Sequence, residues 1–405
     1  MGIMIMLLLL MSVTMCITVV FLRAKIYSPI FIHNFIWLFT ISIGVLAYDR
    51  FIDIPELSVW AMLLWFTTVY CILFLMRLKS GHSSLYLDGK RQFENFKPIK
   101  RPQIWLFVII VSVISIREVY EVGMGGPNNN FLLNLRLSLI IEDYDGPRPF
   151  FILLFYPILT ALFSICTFYE GSASKNTISL LVWQIVFAIG TAGKFAIMTP
   201  FLIMVVIGLF KQTIEVKKVI FSSLFIIFIM MLLHFSRMSE QDSMSIADVL
   251  GIYIYSPLVA LGLLENTIHI RVEYFGEYTF RIFYAVSYYF GFSELPPKET
   301  ILDYVDVPFP TNVYTVMQPF YSDFGLLGVF LGAIFYGVFW GVLFKFVETK
   351  GYHYLMIYSL LVISLVTSFF SETLITNFSG NMKMVLSILF CLWGYRVWVR
   401  RLNQV

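Results

Sequence analysis

The chain has 405 residues, of which 59% are hydrophobic and 13% charged, and its formal net charge is +3. At a mean hydropathy of +0.83, no water-soluble fold of this length could hide its apolar surface, so an integral membrane protein is expected. The four cysteines, Cys16, Cys71, Cys166 and Cys391, all fall in apolar segments, which excludes a disulfide framework and a CxxC metal site.

About 20 apolar residues cross a bilayer as a helix, because every backbone polar group must be satisfied within the span. On that rule the spans fall at 3–22, 30–48, 57–76, 103–120, 150–169, 177–193, 195–210, 219–235, 324–346, 354–371 and 382–399. The reading is therefore an all-α polytopic membrane protein of about eleven transmembrane helices. The first span lacks preceding basic residues and a small-residue cleavage site, and reads as a retained helix rather than a signal peptide. Residues 1–235 form eight spans with a medium loop at 117–149, residues 236–323 form a large loop, and 324–405 carry the last three spans.

Lys and Arg collect on the cytoplasmic side of a membrane protein. With the N-terminus outside, the inner connections hold 18 of the 28 basic and 5 of the 25 acidic residues, a net +13 against −10 on the outer face. Both substantial loops then lie outside. The segment Val249–Leu264 is apolar but short, flanked by Asp248 and Glu265 and interrupted by Pro257, so it reads as a re-entrant or interfacial helix pair. The stretch from Phe280 to Phe292 is likewise too short to span and likewise reads as a re-entrant or interfacial amphipathic helix.

The large loop holds eleven acids and only four bases, Arg237, Arg271, Arg281 and Lys298. Glu273, Glu277 and Arg281 follow at i, i+4 spacing, which on a helix gives an ordinary ion-pair face. The alternative is that the guanidinium forks of Arg271 and Arg281 grip phosphate bidentately, and the run Ile268–Tyr274 also alternates like a strand. In the medium loop Arg136 precedes Gly146 with nine residues between, the spacing that separates Arg281 from Gly291. Lys194, between the sixth and seventh spans, either snorkels to the headgroups or points its charge into the same cavity.

Asp143 and Asp145 form a D-x-D, a pattern that holds a divalent ion in many glycosyltransferases and also arises by chance in an acidic loop. His269 is the one histidine of the large loop and a possible base. Ser322 and Asp323 suit the N-terminus of the ninth span as caps. Nothing in the chain resembles a nucleophile elbow, a phosphate-binding Gly loop or a nucleic-acid surface.

Three stretches carry a resemblance: TAGKFAIMTPFLI (Thr191–Ile203), YIYSPLVALGLLE (Tyr253–Glu265) and PTNVYTVMQPFYSDFGLLGVFLGAIFYGVFWG (Pro310–Gly341). With the span architecture, they make the chain similar to Wzy-type O-antigen polymerases, also called oligosaccharide repeat unit polymerases. The resemblance implies a fold like the C-type glycosyltransferases, in a bacterial inner membrane, with the N-terminus and active face periplasmic and the C-terminus cytoplasmic. It implies polymerisation of undecaprenyl-pyrophosphate-linked repeat units, the growing chain moving to the non-reducing end of a new unit as lipid pyrophosphate leaves. A chain-length regulator is an implied partner, and no cofactor or metal is expected.

The family is associated with an Arg-x10-Gly pattern in each of two periplasmic loops. Arg136 and Arg281 stand in the matching loops with one residue fewer before the glycine, and Lys194 stands where relatives often carry Arg. Arg136, Arg281, Arg271 and Lys194 are then expected at the pyrophosphate, with Glu273 or Glu277 as base. An O-antigen ligase relying on His269, or a metal-dependent glycosyltransferase using Asp143 and Asp145, is the nearest rival. A flippase or transporter is the rival from another class, but the paired half-repeats it calls for do not show in the sequence.

Overall fold

A computed structural model describes residues 1–80, 102–140, 144–191, 194–235, 246–264, 274–298 and 302–402. The chain is overwhelmingly helical. Each of the eleven apolar segments coincides with a helix. They are α1 (Gly2–Cys16, continued by a π-helical turn Ile17–Phe21), α2 (Pro29–Leu46), α3 (Glu56–Ser80), α4 (Pro102–Gly125), α6 (Phe151–Glu170), α7 (Lys175–Thr191), α8 (Lys194–Phe210), α9 (Val216–Phe235), α13 (Gln318–Lys350), α14 (Tyr352–Val366) and α15 (Phe378–Leu402). Between them lie the shorter α5 (Phe131–Ile140), α10 (Ile246–Ile254), α11 (Ser256–Gly262) and α12 (Arg281–Tyr289), and a two-stranded antiparallel hairpin, β1 (Val305–Asp306) with β2 (Pro310–Thr311). Among the described residues, five helices are long and apolar enough to cross a membrane: α1 with its π turn, α2, α3, α6 and α13.

The chain divides into two compact units. The first gathers Met1–Ser83, Met231–Phe346 and Ser364–Ser379, so the large loop belongs with the first three helices and most of α13. Pro29 at the first position of α2 needs no amide partner there and presets the backbone, which starts the helix sharply. Asn34 on α2 donates to the Thr18 hydroxyl at 2.6 Å, a polar tie between apolar helices. The Trp65 ring of α3 lies 5.0 Å from Tyr336 and 5.7 Å from Phe320, both on α13. Only 22% of α1 is buried against 50% of α2, so α1 lines the outside of this unit.

The apolar segment Val249–Leu264 is a broken helix pair, α10 and α11, interrupted at Tyr255, two residues before Pro257 in the first turn of α11. Every residue of α11 is buried. Its Leu258 carbonyl accepts the Ser58 hydroxyl of α3 at 2.6 Å, and Asp248 on α10 pairs with Arg50 at 2.5 Å. The pair is thereby fixed to α2 and α3.

The ninth apolar segment departs from its expected start. Its helix begins at Gln318, not at residue 324, and is interrupted at Gly325, whose φ of 61° and ψ of −149° reverse the chain. The first turns then double back beside the span: the Phe320 carbonyl lies against Gly328, and a Cβ on Gly332 would come within 2.7 Å of the Phe320 ring. Small residues permit that approach.

The second unit holds Ser84–Met230, Val347–Ile363 and Gly380–Val405. Its centre is α6, 67% buried, packed by α4, α7 and α8. Gln184 of α7 donates to the Thr160 hydroxyl of α6 at 3.1 Å within this core. Lys211 donates to the Phe168 carbonyl in the last turn of α6 and lies 4.9 Å from the Phe168 ring centroid. A cation there satisfies an orphan carbonyl and opposes the negative end of the helix dipole, although partial burial lowers the Lys211 pKa.

Candidate functional site

The sequence-predicted residues divide between the two units. In the second, Arg136 is exposed on α5, and Lys194 opens α8. The medium loop that carries Arg136 is fixed at both ends by buried polar side chains. The Asn134 amide donates to the carbonyls of Gly123 at 2.9 Å and Asn128 at 2.7 Å, and its oxygen accepts the Asn128 amide at 3.0 Å. Glu118 on α4 accepts the backbone amides of Phe150, Phe151 and Ile152 at 2.6, 2.8 and 2.7 Å. These are the unpaired N–H groups that begin α6, and the carboxylate complements the positive end of its dipole.

Arg271, Glu273, His269 and Asp143 lie outside the described residues, so the i, i+4 run and the D-x-D are each seen only in part. The part of the run that is described departs from a helix. Residues 275–280 form turns, α12 begins at Arg281, and Glu277 and Arg281 therefore do not share a helix face. Gly276, at a φ of +69°, supports that turn. Glu277 is 4% exposed and forms an ion pair with Lys298 at 3.2 Å. Arg281 donates from Nε to the Lys298 carbonyl at 2.5 Å. A carboxylate from the turn, the first residue of α12 and Lys298 from the irregular chain after it are thus tied together, Glu277 through the Lys298 ammonium and Arg281 through the Lys298 carbonyl.

Asp323 completes the frame. It does not cap α13; its carboxylate reaches across to accept the amides of Tyr278 at 3.2 Å and Thr279 at 2.7 Å, next to Glu277. Tyr284 donates to the Phe275 carbonyl at 2.7 Å, closing the turn from its other side. The Tyr278 and Tyr284 hydroxyls have pKa values raised above the ordinary tyrosine range, first by burial and then by the negative charges of Glu277 and Asp323.

The chain from the hairpin into α13 is equally anchored. Tyr314 donates to the Asp303 carbonyl at 3.0 Å, and the Val316 amide donates to the Ser368 carbonyl at 2.8 Å. Glu372 was passed over in the sequence. It is 5% exposed and accepts the amides of Leu374, Ile375 and Thr376 at 2.8, 2.8 and 2.7 Å, with the Tyr336 hydroxyl at 2.5 Å. An acid stranded in the short polar break between two apolar segments was the signal that could have found it.

Chemically, the Glu277 cluster offers a buried carboxylate that can accept a proton and two cations that can oppose developing negative charge. Among the described residues no group of three His, Cys, Asp or Glu side chains gathers as metal ligands. Compared with known proteins, the chain matches no family model, no curated protein and no solved structure.

Proposed function

We propose that this chain is a membrane-embedded glycosyltransferase that polymerises oligosaccharide repeat units carried on a lipid pyrophosphate. The observation that carries the reading is the cluster of Glu277, Arg281 and Lys298 on a loop held between apolar helices. The motif resemblance supports the substrate class, undecaprenyl-pyrophosphate-linked oligosaccharides as donor and acceptor, and a bacterial inner membrane with this loop on its periplasmic side.

In the proposed reaction the acceptor hydroxyl attacks the anomeric carbon of the donor sugar, the bond from that carbon to the pyrophosphate oxygen breaks, and the electron pair leaves on the lipid pyrophosphate. A leaving group already so competent requires no covalent enzyme intermediate. What the protein supplies is alignment and charge stabilisation. Arg281 and Lys298 oppose the charge that grows on the departing pyrophosphate, and Glu277 takes the hydroxyl proton. Arg271 is a further cation proposed for the same anion and Glu273 the second candidate base, while Arg136 and Lys194, in the second unit, are proposed for pyrophosphate binding on the resemblance alone.

The test uses purified protein in nanodiscs with a synthetic polyprenyl-pyrophosphate-linked repeat unit, with products resolved by mass spectrometry. A ladder of multiples is expected, with loss on Arg281→Ala and partial recovery with Arg281→Lys if Coulomb attraction rather than a bidentate grip dominates. Full-length ladders from folded Arg281→Ala and Arg136→Ala proteins would overturn the assignment.

A further inference from the structure

The helix α12 is amphipathic, yet it is turned the wrong way for a helix packed on a protein. Its polar side faces the protein: Arg281 is half-buried with Nε on the Lys298 carbonyl, and Tyr284 donates to the Phe275 carbonyl. Phe283, Val286 and Phe290 follow at i, i+3 and i+7, one stripe of a 3.6-residue helix, and they are 70%, 46% and 64% exposed. No residue of this helix is buried. A single exposed aromatic needs no explanation, but a continuous apolar stripe does.

The position of the stripe identifies its occupant. The Phe275 and Phe280 rings, which lead into α12, sit 4.9 and 6.5 Å from the Phe324 ring at the turn that opens the long part of α13. Immediately beyond that turn Leu327 and Leu331 face outward, 65% and 52% exposed, on a helix apolar enough to span a bilayer. The aromatic surface is therefore continuous with the lipid-facing side of a span at the point where the span begins.

We infer that α12 lies in the membrane interface, its Phe283, Val286 and Phe290 stripe sunk among the lipid headgroups and upper acyl chains. A helix of this kind needs no hydrophobic partner in the protein, because the bilayer is the partner. Aromatic rings suit that layer, being apolar bodies that tolerate a polar edge. The arrangement puts Glu277 and Arg281, at the start of α12, at headgroup depth, where the phosphates of a lipid carrier also sit. The anchoring does not depend on the reaction proposed above.

The experiment reads depth directly in the full chain. Cys16, Cys71, Cys166 and Cys391 are replaced, and a nitroxide is attached in turn at Phe283→Cys, Phe290→Cys, Leu331→Cys and Asp306→Cys in phosphatidylcholine nanodiscs without substrate. Leu331 reports the lipid-facing span and Asp306 the exposed polar hairpin. Labels at 283 and 290 are expected to collide with oxygen in preference to a water-soluble nickel chelate, severalfold more so than the label at 306 and approaching the label at 331. Water-like access at both sites would overturn the inference, and so would labels shielded from both reagents, which would mean that protein covers the stripe. Because no substrate is present, failure here leaves the polymerase reading standing, and loss of the ladder there leaves the anchoring standing.

Discussion

Asp323→Ala removes the carboxylate that holds the turn carrying Glu277. Two backbone amides lose their acceptor, Thr279 at 2.7 Å and Tyr278 at 3.2 Å. Hydrogen bonds to a charged group contribute about 1.5–3 kcal/mol each, and counting the longer one at half weight gives about 2.3–4.5 kcal/mol for the pair. Since each 1.4 kcal/mol is tenfold, the opening equilibrium of the turn should rise by about 40- to 1,600-fold. The effect should be local, because the remaining anchors of this loop, Tyr314 on Asp303 and Val316 on Ser368, are untouched. Hydrogen exchange of peptides covering residues 274–283, in nanodiscs, reads this opening. Asp323→Asn keeps one acceptor and should fall between the two. Unchanged exchange at Tyr278 and Thr279 in a folded Asp323→Ala protein would refute the frame described for Glu277.

Glu372→Ala strands one buried backbone amide, at Leu374, and two part-buried ones, at Ile375 and Thr376, a loss of about 1–3 kcal/mol for each buried group, and should lower the midpoint of thermal aggregation by about 5 °C or more. Tyr336→Phe removes only one donor and should cost less; an equal or larger drop would show that Glu372 is not the organising group. Tyr314 has a pKa raised above the ordinary tyrosine range by burial and by the charge of Asp303. Its neutral hydroxyl therefore stabilises the loop below pH ~10 and that contribution is lost as pH rises through the higher folded value. The tyrosinate absorbance difference between the protein and Tyr314→Phe should titrate above pH ~10, and a midpoint at or below it would contradict the stated environment.

What the sequence made legible was whatever depends on local hydrophobic length. Each apolar segment is a helix because a run of about 20 apolar residues has no other way to satisfy its backbone in lipid. The broken pair at Val249–Leu264 was legible for a related reason, since Pro257 cannot continue a helix from the preceding residues. What escaped were contacts between residues far apart in the chain. Glu118 meets residues 150–152, Asp323 meets residues 278 and 279, and Glu372 reaches back to Tyr336. No periodicity records which distant amides a carboxylate will find.

The cluster itself was half legible. Arg281 and Glu277 stood out as charges in the large loop, but Lys298 was only counted, and helical spacing suggested a Glu-to-Arg pair. The glycine at 276 turned the chain before a helix could include both residues. The ion pair that formed instead bridges 21 residues of sequence, from Glu277 to Lys298.

The reversal at Gly325 also settles a question of thickness. A straight helix from Gln318 to Lys350 has 33 residues and would be about 50 Å long at 1.5 Å per residue, far beyond a hydrocarbon layer of about 30 Å. Folding the first eight back leaves 25, from Leu326 to Lys350, about 37 Å of helix, which modest tilt accommodates. One left-handed glycine thus trims an overlong rod to a length its solvent can hold and folds the surplus back into the protein, where the Phe320 ring is 4% exposed beside Trp65 and Tyr336.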